Sequence, residues 1–342
     1  MWWRASVAQR RRQGETAHMT GRFAPSPTGT LHLGNLRTAL LAWLAARSTG
    51  LDFIVRMEDL DRVQAAPEHE VRQLSDLAAI GLDWSGDVVR QSERFDLYRD
   101  ALAMLRSRDL VYECFCSRRE IRAEIESAPR APHLPPGSYP GTCRTLTSTR
   151  RQRYLDAGRT PAMRLRADES LAASSSVINF TDLVAGDAFG GVDDVVLQRN
   201  DGVPSYNLAV VIDDALQGVT QVIRGDDLLT TTPRQIHLQH LLGLATPTYG
   251  HVPLVLGDDS ERLSKRHGSV TLAELVDAGA STRLIVSELV SSFGSEFDAT
   301  SDVSSLLSGV VSSFVIGAIT PGEVVYSPEP NAPVGFTLRN AR

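Results

Sequence analysis

Hydrophobic and polar positions in the first sixty residues follow two different periods. A short apolar stretch begins at Gly21 and is followed by the turn-forming residues 25–29. Leucines and a tryptophan then recur at helical spacing over residues 33–44, and Gly50 ends the pattern. The apolar run 53–57 comes next. This order predicts a strand, a helix and a second, buried strand, which is a β-α-β unit.

The same alternation continues on both sides of an irregular middle segment. Helices are predicted from about Pro67 to Gly81 and from about Ser92 to Arg108. After Val111 the pattern breaks. The predicted elements after the break are strands over residues 194–199 and 219–224, a helix over residues 232–243 and a last strand over residues 252–256. We therefore expect an α/β fold with a Rossmann-type parallel sheet, interrupted by an insertion and followed by a short, mostly helical C-terminal region.

This pattern divides the chain into five parts. The predicted parts are a disordered tail (1–20), the first half of the Rossmann domain (21–111), the insertion (112–193), the second half (194–257) and a C-terminal part (258–342). The tail has no apolar core of a secretory signal, and Met19 is a candidate for the true start. No apolar run approaches the roughly 18 residues of a membrane span. A cytoplasmic monomer with no membrane partner is expected.

The middle segment concentrates both cysteine and positive charge. Its three cysteines are Cys114, Cys116 and Cys143, and an odd number argues against a disulfide framework and favours a metal site. Between Cys114 and Arg166 there are eleven arginines and four acidic residues, a net charge of +7 in a chain of net charge −6. Such a basic segment indicates a polyanion partner, although a solvated surface is the simpler alternative.

Lysine occurs once, at Lys265, whereas the other 34 basic residues are arginines. Lysine carries a compact charge on a flexible stem, and arginine carries a planar fork. Because every other basic residue is an arginine, Lys265 is a candidate catalytic residue whose compact ammonium is needed. The alternative, a residual lysine on a solvated loop, is equally compatible with composition alone.

Three motifs occur in an order that resembles the class I aminoacyl-tRNA synthetases of the glutamyl type. They are RFAPSPTG (22–29) with HLGN (32–35), VIRGDDL (222–228) and RLSKR (262–266). Together they cover about residues 21 to 290. Two positions depart from the family patterns, since the HIGH pattern ends in His where this chain has Asn35, and the KMSKS pattern begins with Lys where it has Arg262.

The resemblance implies ATP-dependent activation of an amino acid, with Mg²⁺ carried by the ATP. His32 and Lys265 are the implied catalytic residues, and Pro25, His32, Gly34, Asn35 and Lys265 the implied ATP contacts. Free backbone N–H groups at the start of a helix suit the ATP phosphates. Lys265 would follow the charge that builds on pyrophosphate. No covalent enzyme intermediate is expected, and a purely structural His32 at a helix start is the alternative.

The resemblance also implies that the amino acid is L-glutamate. The matching positions are Arg22, Ser26, Glu58, Tyr206 and Arg224, with an arginine facing the side-chain carboxylate and Glu58 facing the amino group. A dicarboxylic substrate needs a cation for its side chain and an anion for its ammonium. The simpler alternatives are a structural ion pair between Glu58 and Arg224, and a core position for Tyr206.

One branch of this family has a structural zinc site that matches the cysteines, in which Cys-x-Cys is followed by Tyr-x-x-x-Cys. The implied Zn²⁺ ligands are Cys114, Cys116, Tyr139 and Cys143. Three thiolates suit tetrahedral zinc. The fourth ligand stays open, since general ligand chemistry prefers His133 to a phenol and the resemblance points to Tyr139.

The length after Lys265 bears on the acceptor of the activated glutamate. Only 77 residues follow it, of which 271–293 resemble the start of a stem-contact region. The branch of the family that has the zinc site consists of short enzymes, which end soon after the lysine loop. These enzymes esterify glutamate to the cyclopentenediol of queuosine at the wobble position of tRNA(Asp). We therefore expect glutamate, ATP and queuosine-containing tRNA(Asp) as substrates. Three alternatives remain, namely a short enzyme charging tRNA(Glu), a non-catalytic tRNA-binding paralogue, and an adenylating ligase with an amine or thiol acceptor.

Overall fold

The computed structural model describes residues 19–127, 138–167, 177–263, 270–294, 301–329 and 335–340. Most of the predicted tail, together with Lys265 and His133, lies outside these residues.

A mostly parallel sheet forms the centre of the fold. The described strands of the chain are β1 (Thr20–Phe23), β2 (Asp52–Met57), β3 (Val89–Arg90), β4 (Val111–Cys114), β5 (Ala162–Leu165), β6 (Val177–Asp182), β7 (Gly186–Gly191), β8 (Val196–Gln198), β9 (Val219–Gly225), β10 (Thr248–Val252), β11 (Val255–Leu256), β12 (Val324–Pro328) and β13 (Phe336–Asn340). Within the described residues the central sheet has the order β3-β2-β1-β9-β10-β6-β7. All its neighbouring pairs are parallel except the β6–β7 hairpin. The predicted α/β fold with a mostly parallel sheet is confirmed.

Helices cover this sheet and its extensions. The described α-helices are α1 (Leu33–Ser48), α2 (Pro67–Ala79), α3 (Phe95–Ser107), α4 (Arg118–Ser127), α5 (Ser148–Asp156), α6 (Tyr206–Leu216), α7 (Thr232–Leu242), α8 (Leu272–Asp277), α9 (Thr282–Ser291) and α10 (Val303–Ser313). Helix α1 is apolar around most of its surface and is correspondingly buried. It lies so close to β1 that a Cβ on Gly21 would be 2.8 Å from the Cβ of Ala46. Glycine therefore lets the two elements of the first β-α-β unit pack together.

The middle segment contributes to two sheets. Its hairpin β6–β7 extends the central sheet, whereas β4, β5 and β8 form a separate antiparallel sheet. The strand expected at residues 194–199 to resume the central sheet is β8, so that expectation was wrong about its partner. The reason is that a short apolar strand shows its own periodicity but carries no local signal of the strand that pairs with it.

The last parallel strand also differs from the prediction. It is β10, which ends at Val252, whereas the prediction placed it over residues 252–256. Pro253 has no N–H group to continue the ladder, and the chain then enters β11, which pairs with β12. The apolar run that suggested a single strand therefore spans a proline break between two sheets.

The C-terminal part packs on the main core through helices α8, α9 and α10. It also contains the antiparallel pair β12–β13, which the sequence did not predict and which buries Tyr326 and Phe336. Among the described residues, no helix has both the length and the apolar character needed to cross a membrane.

Candidate active site

A cleft of about 600 Å³ lies at the carboxyl ends of β1, β2 and β9. This is the edge at which parallel α/β sheets bind their ligands. Every described residue that was predicted to contact ATP or glutamate lines the cleft. These residues are Arg22, Pro25, Ser26, His32, Gly34, Asn35, Glu58, Tyr206 and Arg224.

The proline-containing loop after β1 is held by Gln73 of α2. The Gln73 side-chain amide donates to the carbonyl oxygens of Ser26, at 3.0 Å, and of Gly29, at 2.7 Å. The N–H of Glu58 donates to the carbonyl oxygen of Pro25 at 2.9 Å. Gln73 is buried, so these bonds are shielded from water. They fix the loop that forms one wall of the cleft.

His32 caps the start of α1 with its ring. Its Nδ1 accepts the backbone N–H groups of Gly34, at 3.1 Å, and Asn35, at 3.3 Å, while the Asn35 side chain accepts the His32 N–H. The N–H of Leu33 donates to Val270. The expectation of free N–H groups for phosphate at this helix start was therefore wrong, because all three have partners.

The cap also fixes the protonation state of His32. Because Nδ1 accepts hydrogen bonds, the neutral ring carries its proton on Nε2, which is then a donor. Burial, together with the positive charge of Arg262, lowers the pKa of His32 to about 4. The residue is therefore a neutral hydrogen-bond donor at physiological pH.

Described residues on both sides of Lys265 lie near this helix start. Before it, Arg262 lines the cleft and forms an ion pair with Asp227 at 3.1 Å. After it, Val270 accepts the backbone N–H of Leu33 at 2.8 Å. Arg262 thus lies at the cleft, and Val270 contacts the first residue of α1.

Arg224 projects from β9 and is surrounded by neutral partners. Its Nε–H donates to Nε2 of His251 at 3.0 Å. Its terminal nitrogens donate to Gln235 and Thr232, both at 2.8 Å, and to the Tyr206 hydroxyl at 3.4 Å. Arg224 is 4% exposed. A buried guanidinium without a described carboxylate partner is suited to bind an anionic group of a ligand.

Glu58 pairs with Arg56, at 3.2 Å, and not with Arg224, so the ion pair considered as an alternative is wrong. Arg56 also contacts Asp214 at 2.8 Å, and Arg22 lies 3.6 Å from the same carboxylate. Burial raises the pKa of Glu58, an effect that Arg56 opposes. A ligand ammonium next to Glu58 would favour its ionised form and so oppose the effect of burial.

The three cysteines of the basic segment, Cys114, Cys116 and Cys143, form a cluster. Their sulfur atoms all lie within 4.8 Å of one another, and Cys116 and Cys143 are 3.5 Å apart. Tetrahedral zinc with Zn–S bonds of about 2.3 Å needs sulfurs about 3.8 Å apart. The Tyr139 hydroxyl is 3.3 Å from the Cys116 sulfur. The donor set therefore fits a closed zinc site, with Tyr139 within reach as fourth ligand.

A second cleft, of about 940 Å³, connects the cysteine cluster to the first cleft. Both clefts are lined by Ser26, Glu58 and Tyr206. The basic side of the second cleft is formed by Arg118, Arg159, Arg164 and Arg199. A large polyanion could thus approach the first cleft along a positively charged wall.

Comparison with known proteins gives the class. The family model of tRNA synthetases class I (E and Q), catalytic domain, matches residues 18–314. The chain therefore belongs to this family, and it is an aminoacyl-tRNA synthetase-like ligase with the class I α/β fold.

The relatives narrow the class. The chain is 54% identical to a protein of Nocardia farcinica named glutamyl-Q tRNA(Asp) synthetase, over 82% of this chain and 87% of that protein. A protein of the same name from Cutibacterium acnes is 53% identical, over 81% of this chain and 76% of that protein. A glutamate–tRNA ligase of Oleidesulfovibrio alaskensis is 45% identical over 79% of this chain but only 56% of its own length.

A solved structure agrees with the class. The crystal structure of a glutamate–tRNA synthetase from Elizabethkingia anophelis is 27% identical and superimposes with a TM-score of 0.75 over 91% of this chain and 68% of that one. The predicted resemblance to glutamyl-type synthetases is confirmed.

Proposed function

We propose that this enzyme activates L-glutamate with ATP and transfers the glutamyl group to the cyclopentenediol of queuosine at the wobble position of tRNA(Asp). The observation that carries the acceptor assignment is the set of relatives at 49–54% identity, which share the name glutamyl-Q tRNA(Asp) synthetase and match most of their length. Relatives named glutamate–tRNA ligase, at 43–45% identity, match over only 56–57% of their own length, whereas a relative named glutamyl-Q tRNA(Asp) synthetase at 45% identity matches over 81% of its length.

Glutamate would bind between the three strand ends. Glu58 would accept the substrate ammonium, and a guanidinium of Arg22 or Arg224 would face the side-chain carboxylate. Of the two, Arg224 is favoured for this role, because Arg22 already lies beside Asp214 whereas the described partners of Arg224 are neutral. Ser26 and Tyr206 would complete the polar lining.

ATP would occupy the part of the cleft next to α1. A carboxylate oxygen of glutamate attacks the α-phosphorus, and pyrophosphate leaves as the mixed anhydride forms. His32 would donate its Nε2–H to a phosphate oxygen, and Lys265 would compensate the charge on pyrophosphate. Pro25 and Gly34 would border the nucleotide, whereas the cap geometry gives Asn35 the role of holding His32. Mg²⁺ would arrive with ATP.

The cysteine cluster would hold a structural Zn²⁺ through Cys114, Cys116, Cys143 and Tyr139. The ion would cross-link the start of the basic segment to its middle, so that the arginines of the segment keep their positions beside the second cleft. The queuosine ring would enter through that cleft. One hydroxyl of its diol then attacks the carbonyl carbon of the adenylate, and AMP leaves.

Two measurements separate the steps of this proposal. Glutamate-dependent exchange of pyrophosphate into ATP should proceed without tRNA, and aspartate should not replace glutamate. Transfer of labelled glutamate should then require tRNA(Asp) that contains queuosine. Charging of tRNA(Glu), or equal charging of tRNA(Asp) that lacks queuosine, would contradict the acceptor assignment.

A further inference from the structure

A buried pair, Asp182 and His251, stands behind Arg224 on the side away from the cleft. Asp182 ends β6 and His251 lies on β10, and both side chains are inaccessible to solvent. Oδ2 of Asp182 is 2.6 Å from Nδ1 of His251. Nε2 of the same ring accepts the Nε–H of Arg224 at 3.0 Å. The three side chains form a continuous hydrogen-bonded row from β6, across β10, to Arg224 on β9 at the cleft.

The directions of these hydrogen bonds follow from the donors. The Nε of arginine always carries a proton, so Nε2 of His251 must be the acceptor and Nδ1 must carry the ring proton. That proton points at Asp182. Burial raises the pKa of Asp182, but hydrogen bonds from the His251 side chain and from neighbouring backbone N–H groups outweigh burial and lower it to about 2. The carboxylate is therefore ionised and selects one tautomer of the histidine.

We propose that Asp182 and His251 are positioning residues for glutamate activation, in which Asp182 fixes the tautomer of His251 and His251 in turn holds the guanidinium of Arg224 against the cleft. This inference rests on the proposed role of Arg224 in binding glutamate. His251 accepts the hydrogen bond from Nε of Arg224, and Thr232 and Gln235 accept hydrogen bonds from its two terminal nitrogens. The guanidinium plane is thereby fixed before the substrate arrives, which lowers the entropy cost of binding.

The surroundings of Asp182 make an asparagine substitution informative. Its other oxygen, Oδ1, accepts the backbone N–H groups of Val184, Ala185 and His251 at 2.9 to 3.0 Å. In Asp182→Asn the amide carbonyl must stay with these three donors, so the NH₂ group replaces Oδ2. It then donates to Nδ1 of His251 and moves the ring proton to Nε2. The protonated Nε2 can donate to the Thr232 hydroxyl, 3.1 Å away, but it no longer accepts the Nε–H of Arg224.

Pyrophosphate exchange tests the proposal. In Asp182→Asn the KM for glutamate should rise about tenfold or more, with the KM for ATP and kcat within about threefold of wild type, because one buried donor of Arg224 loses its acceptor. Asp187→Asn is the matched control, since it makes the same charge change on the exposed strand of the same hairpin. It should leave the KM for glutamate unchanged. A folded Asp182→Asn enzyme with a wild-type KM for glutamate would overturn the proposal.

A second measurement needs no variant. Nitrogen-15 spectra of histidine-labelled wild-type protein should contain a ring with a protonated Nδ1 and an unprotonated Nε2, the opposite of His32. If none of the eight histidines has this tautomer, the proposal is wrong even where Asp182→Asn fails to fold. Failure of the proposed function would look different, because the wild type would then show no glutamate-dependent exchange while the tautomer remained as described.

Discussion

His32 has two tasks in the structure, and two substitutions separate them. Its Nδ1 caps α1 through the N–H groups of Gly34 and Asn35, and its Nε2–H is available to the cleft. Asparagine is among the best helix caps, but it cannot reach the cleft as an imidazole does. His32→Asn should therefore keep the cap and lose the catalytic donor, whereas His32→Ala should lose both.

The expected magnitudes follow from these contacts. Loss of a side-chain cap costs about 1 kcal/mol, so His32→Ala should lower Tm by roughly 2 °C while His32→Asn stays close to wild type. Loss of one donor to charge that develops in the transition state costs about 100-fold or more in kcat. Both variants should therefore lose about 100-fold in pyrophosphate exchange, although only one is less stable.

The pH dependence provides an independent check on the same residue. The pKa of His32 is lowered from 6.5 to about 4 in the folded chain, so the unfolded chain takes up this proton first as the pH falls. Its contribution to stability is full above about pH 6.5 and is lost as the pH falls towards about 4. Wild type should therefore lose more unfolding free energy than His32→Asn between pH 7 and pH 5. A His32→Asn enzyme with wild-type kcat would refute the catalytic role and leave His32 as a helix cap only.

Three further predictions concern other parts of the site. Gln73→Leu should raise the KM for ATP about tenfold, because it removes two hydrogen bonds from the loop after β1 and each is worth about 1 kcal/mol; an unchanged KM would show that the loop does not need them. Cys143→Ser should lose the one zinc ion per chain that elemental analysis of the wild type should detect, and should impair transfer to tRNA far more than pyrophosphate exchange; full zinc retention would contradict the ligand assignment. Lys265→Ala should slow adenylate formation with little change in glutamate affinity, and wild-type turnover would argue against its role.

The elements that build the cleft could be predicted because their signals are local. Helical spacing after residue 33 and the glycine at position 50 determine α1, and the apolar run before Glu58 determines β2. Once a β-α-β unit is recognised, parallel pairing brings Phe23, Glu58 and Gly225 to one edge of the sheet. The convergence of the predicted ligand-binding residues follows from this geometry.

The features that the sequence did not reveal depend on contacts between distant residues. The pairing of β8 with β5 depends on register, and the pairing of β11 with β12 follows a proline break. Neither cause leaves a periodic signal in the sequence. Gln73 could have been suspected, because it is a polar residue at helical spacing from the buried Leu77 and Ile80. Asp182 and His251 are 69 residues apart in the chain and become partners only when β6 and β10 align.

In the proposed reaction the activated glutamate goes to the anticodon of tRNA(Asp), and the position of a glutamate label on the tRNA distinguishes this acceptor from the 3′ end. Queuosine-containing tRNA(Asp) would be incubated with enzyme, ATP and radioactive glutamate, cleaved under mildly acidic conditions by a nuclease, and separated into fragments. The label is expected in the fragment that contains the anticodon loop, and no label is expected after periodate has opened the cyclopentenediol. Label in the 3′-terminal fragment would contradict it.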